Sequence, residues 1–139
     1  MYLVDTDVIS NARKRGRANP GVRRFFQDAA TRGTPLFLSA VTIGELRQGV
    51  EAVRHRGDVP QANRLARWLR AVTTEFADAI LAFDEEIAQV WGRLRVPHAE
   101  NPLDKQIAAT ALIYDLVLVT RNAKHFASTC VKLFDPFTH

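Results

Sequence analysis

Two stretches decide the fold, Tyr2-Leu3-Val4-Asp5-Thr6-Asp7 and Leu116-Val117-Leu118-Val119-Thr120-Arg121-Asn122. In each, a short unbroken apolar run passes directly into polar residues. Unbroken runs of this length suit strands buried on both faces, as in a parallel sheet, better than the alternating pattern of a half-exposed one. Three further runs read the same way: Leu36-Phe37-Leu38, Ile80-Leu81-Ala82-Phe83 and Val131-Lys132-Leu133-Phe134. Between them the apolar spacing becomes helical. Val41, Ile43, Leu46, Val50 and Val53 share one stripe, and Leu65, Trp68, Leu69 and Val72 another. Asp84-Glu85-Glu86 places acid at the start of a third helix that Pro97 ends, and a fourth runs from Asp104 to Asp115. Residues 13–24 read as a solvated loop and helix start. The alternation predicts an α/β domain whose five-stranded, mainly parallel sheet is covered on both faces. In such sheets ligands bind outside the carboxyl ends of the strands.

With 139 residues, 47% of them hydrophobic and 24% charged, the chain is expected to form one domain, residues 1–139, and it fits neither a disordered nor a fibrous class. Its one cysteine, Cys130, excludes an internal disulfide and reads as buried filler beside the last strand. Asp5 arrives too early for a signal-peptide apolar core, and no apolar run approaches the ~18 residues of a membrane span. The expectation is a cytoplasmic protein without a membrane partner. A net charge of +4 favours an anionic partner by steering.

On this frame the polar residues converge. Asp5 and Asp7 follow the first strand and Thr120 and Asn122 the fourth. Glu45 lies early in the helix after the second strand, and Asp104 opens the helix before the fourth. Carboxylates gathered within about 5 Å repel by roughly 3 kcal/mol per pair at an effective dielectric near 20, so they either take up protons or hold a cation. An all-oxygen set suits Mg²⁺ or Mn²⁺, and the lack of a Cys or His cluster argues against zinc.

Four blocks carry a family resemblance: Leu3-Val4-Asp5-Thr6-Asp7-Val8-Ile9-Ser10, Leu38-Ser39-Ala40-Val41-Thr42-Ile43-Gly44-Glu45-Leu46, Asp104-Lys105-Gln106-Ile107-Ala108-Ala109-Thr110-Ala111 and Val119-Thr120-Arg121-Asn122. In this order and at these separations the chain resembles the PIN-domain ribonucleases of the VapC and FitB toxin type. The resemblance implies a three-layer α/β/α fold. It also implies a metal-dependent endoribonuclease toxin that stops translation and is neutralised by a cognate antitoxin. Residue by residue, the family's acidic quartet falls on Asp5, Glu45, Asp104 and Asn122. Asp5 and Asp104 are then direct ligands of Mg²⁺ or Mn²⁺, and Glu45 acts through a water. Thr120 helps to orient a carboxylate or water. Asn122 departs from the acidic pattern and would hold a second ion more weakly. The implied partners are an RNA substrate, an antitoxin carrying a DNA-binding module, operator DNA through that antitoxin alone, and a second copy in a homodimer.

Each residue also has a plainer explanation. Asp5 can end a strand, Asp7 can cap the turn at Val8, and Asp104 can serve as a helix-start acid worth about 1 kcal/mol. Asn122 can cap the turn through Phe126. Gly44 and Gly49 leave room beside Glu45 for a backbone or a phosphate. His125 reads first as a surface histidine and second as a contact at the site edge. His55, His98 and His139 carry no chemistry, and Ser10 and Ser39 lack a base at motif spacing. Arg64, Arg67 and Arg70 form a solvated face, while Trp68 and Trp91 pack in a core or dimer interface. Two further readings stay open: a catalytically weak RNA-binding partner that works through antitoxin complex and operon repression, favoured by Asn122, and a nuclease of DNA flaps. Arg13, Lys14, Arg15 and Arg17 make the densest positive run, either a solvated loop or an RNA contact. Replacing Arg13, Lys14 and Arg15 together by Ala is expected to flatten the salt dependence of RNA binding. An unchanged slope removes the segment from the RNA site.

Overall fold

The computed structural model describes residues 1–138; His139, to which no chemistry was assigned, lies outside them. Among the described residues five strands, β1 (Tyr2–Val4), β2 (Leu36–Ser39), β3 (Ile80–Leu81), β4 (Val117–Val119) and β5 (Leu133–Phe134), form one sheet. Every pairing is parallel and the order is β3-β2-β1-β4-β5. The helices are α1 (Thr6–Ala12), α2 (Pro20–Arg32), α3 (Ala40–His55), α4 (Val59–Glu75), α5 (Glu85–Leu94) and α6 (Pro102–Tyr114). None is long and apolar enough to cross a membrane.

The two-residue period of the strands divides the core between the faces of the sheet. Val4, Leu38 and Val119 face one side, with Val8, Ile9, Val22, Phe25, Leu46, Val50, Leu69 and Val72 of the first four helices. Leu3 and Leu118 face the other, with Ile107, Ala108 and Ala111 of α6 and with Phe126 and Val131. The expected three-layer α/β/α architecture is what forms. Small residues on α6 let it lie close to the sheet, and even Lys105 is buried there. Its ammonium donates to the carbonyls of His98 and Glu100, which ties the loop before α6 to the helix.

The first two helices exceed what the sequence pattern predicted for residues 6–32. In α2, Asn19 accepts from the Gly21 N–H at 2.8 Å, Pro20 opens the helix and Gly33 closes it at φ 64°. A Pro at the start and a left-handed Gly at the end need no intrahelical donor and incur no Cβ clash, respectively. The loop and helix start expected at 13–24 are there: after the α1 cap at Arg13 the loop holds a 3₁₀ turn over Arg15–Arg17, and the helix start is that of α2 at Pro20. Asp84 caps α5 through a 3.0 Å bond from the Ile87 N–H, as the acidic cluster predicted. Asp104 does not open its helix: α6 starts at Pro102 and places Asp104 in its first turn. Cys130 is exposed and left-handed at φ 62°, not buried filler; Val131 beside it is the residue that enters the core.

The chain lays β1, β2 and β3 outward on one side, then crosses to β4 and β5 on the other. The direction of winding reverses between β1 and β4, the crevice where open parallel sheets accept ligands. Gly44 and Gly49 face open space, where an added Cβ would meet nothing within 4 Å, so no backbone of this chain approaches either one. Gly44→Ala and Gly49→Ala are each expected to stabilise α3 by about 0.5–1 kcal/mol. A lower midpoint in urea unfolding for either variant would contradict that assignment of open space.

Candidate active site

Parallel pairing of Val4 with Val119 brings the carboxyl ends of β1 and β4 side by side. Asp5 and Thr120, the next residue of each strand, meet there. The Asp5 N–H continues the ladder onto the Val119 carbonyl at 2.9 Å. Its side chain caps α1, with Oδ1 accepting from the Thr6 N–H at 2.8 Å and Oδ2 from Thr120 Oγ1 at 2.7 Å. Thr120 Oγ1 in turn accepts from the Asn122 N–H at 3.0 Å, so one buried hydroxyl fixes both Asp5 and the start of the following turn. Asp5, not Asp7, is the helix cap.

Asp7 lies in the first turn of α1, and its Oδ2 accepts from Asn122 Nδ2 at 3.2 Å and from the Arg121 N–H at 3.3 Å. Its other oxygen, Oδ1, is buried without a hydrogen-bond partner. Asn122 therefore spends its amide on Asp7 and does not cap the 3₁₀ turn that follows. Glu45, in the second turn of α3, is held through Oε1 by the Thr6 hydroxyl at 2.6 Å, and that hydroxyl also bonds Thr42 Oγ1 at 3.1 Å. Asp104 Oδ2 lies 2.7 Å from His125 Nδ1.

The four sites predicted to converge do converge. Asp5, Asp7, Glu45, Asp104 and Asn122, with Thr6 and Ser10, line one open cavity of about 260 Å³. Burial first, then the charge of Asp7, pushes the Asp5 carboxyl up to about 7 despite the opposing bonds from Thr120 and Thr6. Burial raises Asp7 as well, against hydrogen bonds from the Arg121 and Val8 backbones and the Arg121 charge. A carboxylate kept from its charged form, beside a buried oxygen with no donor, is a donor set suited to a divalent cation. Among the described residues no group of three or more His, Cys, Asp or Glu side chains stands as a ready cage.

Several site residues escaped sequence reasoning. Thr6 was quoted for its block but given no role, although a hydroxyl one residue after a strand-end acid is a signal. Ser10 shares the cavity without acting on a base. His125, read first as a surface histidine and second as a contact at the site edge, reaches Asp104. Of the basic run, Arg13 lines a groove that runs on from the cavity with Thr6, Ser10, Glu45 and Trp68. Lys14, Arg15 and Arg17 are exposed, with Arg15 on the wall of a second groove beside Trp68 and Phe26. Arg64, Arg67 and Arg70 are exposed as expected, and Trp68 and Trp91 are half-buried.

A family model described as PIN domain matches residues 2–132. Toxin FitB of Neisseria gonorrhoeae (strain ATCC 700825 / FA 1090) is 32% identical to the chain over 143 residues, covering 99% of each. The crystal structure of FitAcB from Neisseria gonorrhoeae matches with a TM-score of 0.85 at 31% identity, over 100% of both chains. A structure of FitAB bound to an IR36 DNA fragment matches with a TM-score of 0.81 at 28% identity, over 99% of this chain and 96% of that one.

The raised pKa of Asp5 has a consequence for stability. Below its ordinary value of 3.8 the carboxyl is protonated in folded and unfolded chains alike; between there and about 7 only the unfolded chain ionises. Stability of the metal-free protein therefore falls as pH rises through that window and stays lowered above it. Asp5→Asn keeps the shape without the charge, and is expected to raise the melting temperature by about 5 °C at pH 8 while leaving it nearly unchanged near pH 4. Thermal unfolding at the two pH values checks this, and equal shifts at both would contradict it.

Proposed function

The chain belongs to the PIN-domain family, and we propose that it is a metal-dependent endoribonuclease toxin that hydrolyses RNA phosphodiester bonds and so inhibits translation. The observation that carries the reading is the convergence of four carboxylates from three helices on one cavity, with the Asp7 Oδ1 atom buried and unpartnered. In this reading Asp5 and Asp104 hold Mg²⁺ or Mn²⁺ directly and Glu45 contacts it through a water. When bound, the ion neutralises charge developing on the phosphate and makes water more acidic.

The chain's own groups do the rest. Thr120 and Thr6 keep Asp5 in one rotamer, so the ligand is positioned before the substrate arrives. Glu45, anchored through Oε1, offers its other oxygen to orient the attacking water or take its proton. The water oxygen bonds to phosphorus as the bond from phosphorus to a ribose oxygen breaks; Glu45 takes the water's proton, and the leaving oxygen takes one from solvent. Asn122 steadies Asp7 and thereby lines the cavity with a neutral group where an acid would add charge. Arg13, on the groove that continues from Glu45, is the member of the basic run best placed to meet an RNA phosphate; Lys14, Arg15 and Arg17 extend the positive field around it.

By its similarity to FitB the chain is assigned to a toxin–antitoxin pair, as a cytoplasmic homodimer held inactive by an antitoxin with a DNA-binding module. Contact with operator DNA is made through that partner; the likeness to FitAB bound to DNA supports this. One observation favours the second reading, a catalytically weak regulatory partner: the Asn122 amide is committed to Asp7 and brings no fourth family acid.

Purified, antitoxin-free protein is expected to cut a mixed pool of transfer, ribosomal and messenger RNA into discrete products with Mg²⁺ or Mn²⁺. Chelator, Asp5→Asn or Asp104→Asn should each abolish them, with a loss of at least about 100-fold in rate. Folded protein that binds RNA yet cuts no better than Asp104→Asn would turn the assignment to the regulatory reading.

A further inference from the structure

Arg121 was not assigned a role by its sequence block, yet its placement is specific. It follows Thr120 directly, and its own N–H donates to Asp7 Oδ2 at 3.3 Å, so its backbone forms part of the cavity rim. Its guanidinium lies over the ring of Phe137, with Cζ 3.7 Å from the ring centroid. Phe137 is itself anchored. Its ring packs against the core that includes Phe25 of α2, and its N–H donates to Asp135 Oδ1 at 2.8 Å. The stack therefore holds the guanidinium on a fixed floor.

Among the described residues this guanidinium makes no ion pair with a carboxylate and donates no hydrogen bond. Asp7 feels its charge without pairing to it. A planar cation stacked on one face keeps its edge donors available, and those donors match the oxygens of a phosphate. Arg121 is linked to the cavity through Asp7, which its N–H bonds, and through its neighbour Asn122, while Arg13 lines the adjoining groove with Glu45 and Ser10.

We infer that Arg121, held by Phe137, is an RNA-binding residue that takes the phosphate neighbouring the scissile one. The inference rests on the ribonuclease reading and extends it to a second point on the same strand. It also gives the C-terminal segment a part in the site, because the floor under the guanidinium comes from the 3₁₀ turn Pro136–Thr138.

Fluorescence anisotropy of a labelled single-stranded RNA tests it, in chelator to prevent cleavage, over a salt series. The proteins are wild type, Arg121→Gln, Arg121→Lys and Phe137→Leu, each verified as folded by circular dichroism. Arg121→Gln is expected to raise Kd about tenfold at low salt and to reduce the slope of log K against log salt by about 0.7. Arg121→Lys keeps the slope but binds more weakly than wild type. Phe137→Leu behaves likewise, because charge remains while the stack is lost. A merely structural role would not move the salt slope. Wild-type Kd and slope in Arg121→Gln would overturn the inference, and if antitoxin binding alone were weakened, the residue would belong to the protein partner's surface. Wild type that neither binds nor cuts RNA would overturn the ribonuclease reading along with it, an outcome distinct from variants that match an active wild type.

Discussion

The bond from Thr120 Oγ1 to Asp5 Oδ2 joins residues 115 apart in sequence and lies wholly inside the protein. It can form only if β1 and β4 are neighbours, parallel and in the observed register. A shift of either strand by one residue would exchange the buried faces that Leu3 and Val4 fill and carry Asp5 out of reach of Thr120. The site therefore inherits its geometry from the sheet, and the sheet is selected by apolar residues that have no part in the chemistry. Burying a carboxylate costs several kcal/mol unless hydrogen bonds or a cation offset it. Two donors offset part of that cost here, and the remainder appears as the raised pKa of Asp5.

Helix ends supply a further share. Asp5 caps α1, Asp104 sits in the first turn of α6, and Glu45 lies early in α3. Each acid is near the amino end of a helix, where unpaired N–H groups and the aligned peptide dipoles give a partial positive charge. Winding the chain so that three helices start at one sheet edge places three such ends around one cavity. An acidic centre is tolerable at that edge and would not be at the other, where helices finish in partial negative charge.

The strands, the sheet class and the acids at its edge were legible because each rests on local pattern. A continuous apolar run that stops at Asp5 or Thr120 announces a buried strand and its exit together. The helices α1 and α2 were harder to read: α1 is only seven residues long with Val8 and Ile9 as its buried pair, and in α2 the apolar positions Val22, Phe25 and Ala29 are interleaved with Arg23, Arg24 and Arg32. The Asn19-Pro20 start and Gly33 stop were nevertheless present. Cys130 shows the limit of composition: a small apolar residue beside a strand reads as core, but a left-handed turn carries it outward. His125 and Arg121 belong to a different class of difficulty. Their partners, Asp104 and Phe137, are 21 and 16 residues away along the chain, and nothing local reports such contacts.

The strands at the two margins of the sheet, β3 and β5, are each two residues long. An unpaired strand margin is a template on which another chain can lay its own backbone, and its reach grows with its length. Margins this brief offer at most a bond or two to a stranger, too few to nucleate a ladder between molecules. The chain is thereby protected from a separate fate, growth into insoluble aggregates through its own edges.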